Sequence, residues 1–143
     1  MIFSSEKQSV RILHTGDLHL DSPFACLSPE KSEERRRELR ETFSRLIALA
    51  RAEQVDLILI AGDLFETKYA TNMTAEILIR EFRNCPETQF IIAPGRADAY
   101  ENNLIYASER LPENCHVLGG EGLDRIYFER DKVMIYGWGF ATE

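Results

Sequence analysis

Leu57-Ile58-Leu59-Ile60 is apolar at every position and runs straight into Ala61-Gly62-Asp63. A strand with one wet face alternates apolar and polar residues. Unbroken apolarity means both faces are covered, as in a parallel sheet flanked by other elements. This run therefore predicts an α/β domain, and the rest of the chain is read around a strand at residues 56–61.

The flanking segments fit that frame. Residues 10–14 form a short apolar run that feeds the polar turn Thr15-Gly16-Asp17, a strand entering a loop. Ser28-Pro29-Glu30 reads as a helix start, with Ser28 as N-cap and Pro29 at the first helical position. Leu39, Phe43, Leu46, Ile47 and Ala50 then recur at helical spacing, predicting a helix over 32–53. A second helix is predicted over 73–82, with Met73, Ile77 and Leu78 inward, and a third strand over 90–92. A short helix over 102–110, a fourth strand at 115–118, a turn at Gly119-Gly120 and a hairpin of 124–129 with 132–136 complete the reading. The order βαβαβαβ plus hairpin implies right-handed crossovers and a mostly parallel sheet with flanking helices.

Seventeen Lys and Arg against twenty-four Asp and Glu give a net charge of −7, so the chain has no global attraction to nucleic acid or an anionic membrane. Arg35-Arg36-Arg37 stands among Glu30, Glu33, Glu34, Glu38 and Glu41, with Glu33–Arg37 and Glu41–Arg45 at i,i+4. It is read as a solvated helix face. Cys26, Cys85 and Cys115 are scattered and odd in number, which fits a reducing compartment. The first seven residues contain no apolar stretch of signal-peptide type, and no run is long enough to span a bilayer, so the expectation is a cytoplasmic protein without a membrane partner. No phosphate-binding Gly-x-x-x-x-Gly-Lys loop is present.

In parallel sheets, ligands bind beyond the carboxyl ends of the strands. Three such ends carry polar, glycine-containing loops: Asp17-Leu18-His19, Gly62-Asp63 and Gly95-Arg96-Ala97-Asp98. Asp17 and His19, two apart in an extended segment, point the same way and offer oxygen and nitrogen to one cation, and Asp63 joins them from the next strand. Gly62 lets the backbone approach closely. Mixed carboxylate and imidazole ligands suit Mn, Fe or Zn, with Mg also considered. His14 and His116 are read as packed structural residues.

Thr15-Gly16-Asp17-Leu18-His19-Leu20-Asp21-Ser22-Pro23 and Leu59-Ile60-Ala61-Gly62-Asp63-Leu64-Phe65 resemble the first two signatures of the calcineurin-like metallophosphoesterases. The run His19-Leu20-Asp21-Ser22-Pro23 is most similar to the DNA-repair exonuclease branch, which includes nuclease subunits of double-strand-break-repair complexes. The resemblance covers nearly the whole chain. It implies one half of an αββα sandwich, a first metal held by Asp17 and His19, a bridging Asp63, and phosphoester hydrolysis by a hydroxide held between two metals.

The third signature departs from this pattern. Where the family has Gly-Asn-His-Asp or Gly-Asn-His-Glu, this chain has Gly95-Arg96-Ala97-Asp98. Arg96 cannot ligate a metal, but its guanidinium is a candidate substitute for the second metal's charge. Ala97 removes the histidine that assists the leaving group. Asp98 has two readings, orienting the site or capping a turn. No Gly-His-x-His signature follows Trp138-Gly139-Phe140, so residues 1–143 are read as a single domain truncated relative to the family. The expectation is one ion at most. Two functions follow: a phosphoesterase related to DNA-repair exonucleases with weakened or lost activity, or a non-catalytic metallophosphoesterase-like binding module. A sheet with helices on one face only also predicts self-association or a partner chain over the other face.

Overall fold

The computed structural model describes residues 9–101, 103–119 and 122–142. Four strands, β1 (Ile12–Thr15), β2 (Leu57–Ala61), β3 (Gln89–Ala93) and β4 (Cys115–Val117), form one sheet in the order β1-β2-β3-β4, every neighbouring pair parallel. Two helices, α1 (Pro29–Ala52) and α2 (Asn72–Arg83), form the crossovers between β1 and β2 and between β2 and β3. β5 (Asp124–Phe128) and β6 (Val133–Gly137) make an antiparallel hairpin. The predicted α/β architecture with a parallel sheet and terminal hairpin is therefore present.

Alternation along the strands separates two cores. Ile58, Ile60, Phe90 and Ile92 face Phe43, Ile47 and Ala50 of α1 and Leu78 and Phe82 of α2. Leu57, Ile91 and Leu118 face Phe128, with Ile126, Val133 and Ile135 of the hairpin packed alongside. Both faces of β2 and β3 are thus covered, which is why their sequences are apolar throughout. The hairpin covers the second face only in part. Ile12 and His14 of β1 remain exposed.

α1 begins as its sequence directs: Ser28 Oγ accepts from the Lys31 N–H, and Pro29 occupies the first turn. Four expectations need correction. Residues 103–110 form successive turns, because Asn103 Oδ1 accepts from the N–H groups of Ile105 and Tyr106 while its Nδ2 binds the carbonyls of Asp98 and Ala99. A side chain that satisfies local backbone groups in this way competes with a helical ladder. The predicted start at Asn102, and Gly120 of the predicted turn, lie outside the described residues. Met73 is 54% exposed, and α2 instead buries Leu78, Ile79 and Phe82. Glu33 pairs with Arg36 and Arg40 rather than with Arg37. Finally, His14 is exposed, whereas His116 is packed, its Nε2 within 2.9 Å of Gln89 Oε1 and its ring edge-on to Phe128.

No helix among the described residues is long and apolar enough to cross a membrane.

Candidate metal centre

The loops leaving β1 and β2 stay in register beyond the sheet. The N–H groups of Asp17, His19 and Leu20 donate to the carbonyls of Gly62, Asp63 and Leu64 at 3.1, 2.9 and 3.0 Å, and the Glu66 N–H donates back to Leu20 at 2.9 Å. Two polar loops are thereby laid side by side at the carboxyl rim. Within them Asp17, His19 and Asp63 each offer one ligand atom, all within 4.8 Å of one another. His19 Nε2 lies 3.6 Å from Asp17 Oδ1 and 3.9 Å from Asp63 Oδ2.

The convergence does not come from an extended backbone, as the alternate spacing of Asp17 and His19 suggested. Both are left-handed, with φ of 52° and 44°, as are Asp21 and Asp63. Aspartate and histidine tolerate this conformation better than most residues. Gly62 has φ of 82°, a conformation that suits glycine. A Cβ on Gly95 would come within 2.3 Å of Asp63 Oδ1. These two glycines let the loops close on the aspartate.

The remaining ring nitrogen of His19 shows how the site is tuned. Nδ1 lies 2.8 Å from Glu66 Oε1, leaving Nε2 turned toward Asp17 and Asp63. A carboxylate on the far nitrogen fixes ring orientation and raises ligand basicity, the usual arrangement behind a metal-bound histidine. The donor set and its orientation therefore fit a divalent cation of the Mn, Fe or Zn type. Glu66, three residues beyond Asp63, was not singled out in the sequence, since its role depends on the loop folding back toward His19. Glu66→Gln is expected to weaken Mn binding about 10–100-fold, measured by calorimetric titration.

Asp98 is 0% exposed and ties the second and third loops together. Its Oδ1 accepts from the N–H groups of Asp63 and Gly95 at 3.0 and 2.6 Å. Its Oδ2 accepts from the Leu64 N–H at 3.0 Å and from the Tyr106 hydroxyl. Burial, together with the adjacent carboxylate, raises the Tyr106 pKa well above its ordinary value, so the phenol remains a donor. Asp98 thus caps the loop and holds the backbone of Asp63 and Gly95 together.

Other sequence candidates lie elsewhere. Asp21 turns away from the cluster and is bound by the Thr74 hydroxyl and Arg40. Arg96 is exposed, and among the described residues no ion pair joins it to Asp63. The Ala97 N–H donates to Asp63 Oδ1 at 2.8 Å, so that oxygen already has a partner while Oδ2 faces His19.

A parallel sheet whose rim gathers an Asp-x-His pair and a Gly-Asp carboxylate is the architecture of a metallophosphoesterase. The calcineurin-like phosphoesterase family model matches residues 10–137, and this chain belongs to that family. It is 33% identical over 129 residues to the DNA double-strand break repair protein Mre11 of Sulfurisphaera tokodaii, an alignment covering 89% of this chain and 32% of that protein. It is 31% identical over 140 residues to the metallophosphoesterase YhaO of Bacillus subtilis, covering 92% of this chain and 33% of YhaO. The Mre11 protein of Saccharolobus solfataricus is 31% identical over 91 residues, 62% of this chain and 23% of its own. The chain thus spans a third or less of the length of these relatives.

Proposed function

We propose that this chain is a weak, metal-dependent phosphodiesterase related to DNA-repair exonucleases, using a single divalent ion, Mn in the first instance, at Asp17, His19 and Asp63. The observation that carries this reading is the convergence of those three ligand atoms within 4.8 Å. A cation there would lower the pKa of a bound water and neutralise charge on a phosphoester oxygen. In the reaction, water-derived hydroxide attacks phosphorus, the P–O ester bond breaks, and the departing oxygen takes up a proton. Asp17 and Asp63 would supply the negative charge that holds the ion, and Glu66 would keep His19 in its ligating orientation. Ala97 has no proton to give, so solvent must protonate the leaving group. DNA phosphodiesters are the proposed substrate class.

The test is hydrolysis of a chromogenic phosphodiester with added Mn. Turnover that is abolished in Asp63→Asn supports the reading; turnover unchanged in that variant would place any activity elsewhere. A wild-type chain that binds Mn but hydrolyses nothing favours the second reading, a non-catalytic binding module. The replacement of both third-motif side chains by Arg96 and Ala97 favours that alternative.

We further propose that the outer face of the hairpin is covered by a second copy or another chain. Tyr127 of β5 and its cross-strand neighbours Met134 and Tyr136 of β6 are exposed there, and Trp138 and Phe140 just beyond β6 are exposed as well, Trp138 by 70%; exposed apolar surface of this kind is uncommon on monomers. Light scattering at micromolar concentration is expected to report a mass above 16.5 kDa; a clean monomer counts against self-association. The free thiols of Cys26, Cys85 and Cys115 support a reducing compartment, and the cytoplasm is the proposed location.

A further inference from the structure

α1 carries Ser32, Arg36 and Arg40 at i, i+4 and i+8, which places them in one stripe along the helix. That stripe lies against the segment that follows the cation ligands. Ser32 Oγ donates to the Phe24 carbonyl at 3.1 Å, Arg36 Nη1 reaches the Pro23 carbonyl at 3.5 Å, and Arg40 Nη2 pairs with Asp21 Oδ1 at 3.2 Å. Each turn toward the helix C-terminus grips an earlier residue of the loop, ending two residues beyond His19. Glu33 braces the stripe, accepting from Arg36 Nε at 2.9 Å and Arg40 Nη2 at 3.1 Å. From the other side Thr74 of α2, itself buried, donates to the second oxygen of Asp21.

The gripped loop is one that needs holding. Asp17, His19, Asp21 and Phe24 all have positive φ, between 44° and 63°. Side-chain-bearing residues keep such conformations only where their surroundings over-determine them. Asp21 is 4% exposed, so its carboxylate depends on Arg40 and Thr74 for compensation. Arg40 Nε is buried without a hydrogen-bond partner. The guanidinium sits where Asp21 and Glu33 need it, even though one of its own donors goes unmet.

We infer that Ser32, Arg36 and Arg40 are positioning residues: the stripe holds the loop in the left-handed conformation that aims Asp17 and His19 at Asp63, and so sets how tightly a divalent cation is bound. The inference rests on the reading of those three residues as a cation site. Its test therefore includes a measurement that needs no cation. Amide hydrogen exchange at Asp17, His19 and Leu20, whose N–H groups bond to the neighbouring loop, is compared between wild type and Arg40→Met, alongside calorimetric titration with Mn. The expected result is loss of protection at those amides by about tenfold or more, with β2 and β3 unaffected. Mn binding should weaken about 10–100-fold. Arg40→Lys, which keeps the charge on Asp21 but loses the fork shared with Glu33, is expected to fall between the two. If Arg40→Met does not fold, Glu33→Gln on the exposed side of the stripe carries the same comparison. Unchanged exchange and affinity in folded variants overturn the inference, as does protection lost evenly across the whole sheet. A wild-type chain that binds no Mn defeats the cation reading, and exchange at the loop then decides the clamp by itself.

Discussion

Asp98→Ala is expected to lose about 4 kcal/mol or more of folding stability, a change that places it among the most damaging single substitutions available to the domain. The wild-type carboxylate satisfies three backbone N–H groups and one phenol. Alanine leaves all four donors without their acceptor at a position closed to solvent, and each buried orphan costs about 1–3 kcal/mol. Asp98→Asn is the sharper experiment. Its carbonyl still serves one pair of donors, but its amide confronts the other pair, so about half the loss is expected. Urea denaturation reads both variants. A loss below about 1 kcal/mol for alanine would mean that water reaches these donors, contrary to the burial of the site. Asp98→Ala should also abolish Mn binding, because Asp63 and Gly95 lose the group that holds them together.

The double substitution Arg96→Asn with Ala97→His is expected to raise diester turnover by about 10²–10⁴-fold, the usual contribution of a positioned general acid. Two separate gains are combined. Asparagine offers an oxygen ligand where arginine offers only a charge, and histidine offers a proton to the departing oxygen. The Asp63–Ala97 bond runs through the backbone N–H, so the substitution leaves it in place. Steady-state rates with Mn measure the catalytic gain, and calorimetry measures whether a second ion binds. Turnover that stays flat while the second ion binds would show that something other than the third loop limits the chemistry.

The sheet was legible because its signal is local. Unbroken apolarity from Leu57 to Ile60 specifies a strand covered on both sides, and the structure supplies helices on one face and a hairpin on the other. The Ser28-Pro29 start of α1 was equally local. The segment after Asp98 departs from its helical periodicity because periodicity takes no account of Asn103, whose amide competes for the backbone at short range. At the rim, residue type and strand order pointed to Asp17, His19 and Asp63 without revealing that their backbone is left-handed. Glu66, Arg40, Thr74 and Tyr106 stayed invisible for another reason. Each acts on a partner at least eight residues away, across a contact that exists only after folding. Charge patterning predicts a solvated arginine triplet, and Arg35 and Arg37 do pair along the helix surface, at Glu38 and Glu41. Arg36 lies within the stripe that grips the loop, a distinction of one helical position that charge patterning does not resolve.

The Asp98 clamp also separates two jobs that are often fused in one loop. Architecture at this rim depends on a carboxylate and a handful of amide hydrogens, whereas the Arg96 side chain is exposed and Ala97 contributes its backbone N–H to Asp63. A scaffold wired in this way can surrender its chemistry without collapsing. Its third loop can therefore be rewritten at 96 and 97 while the clamp beneath it stays in place.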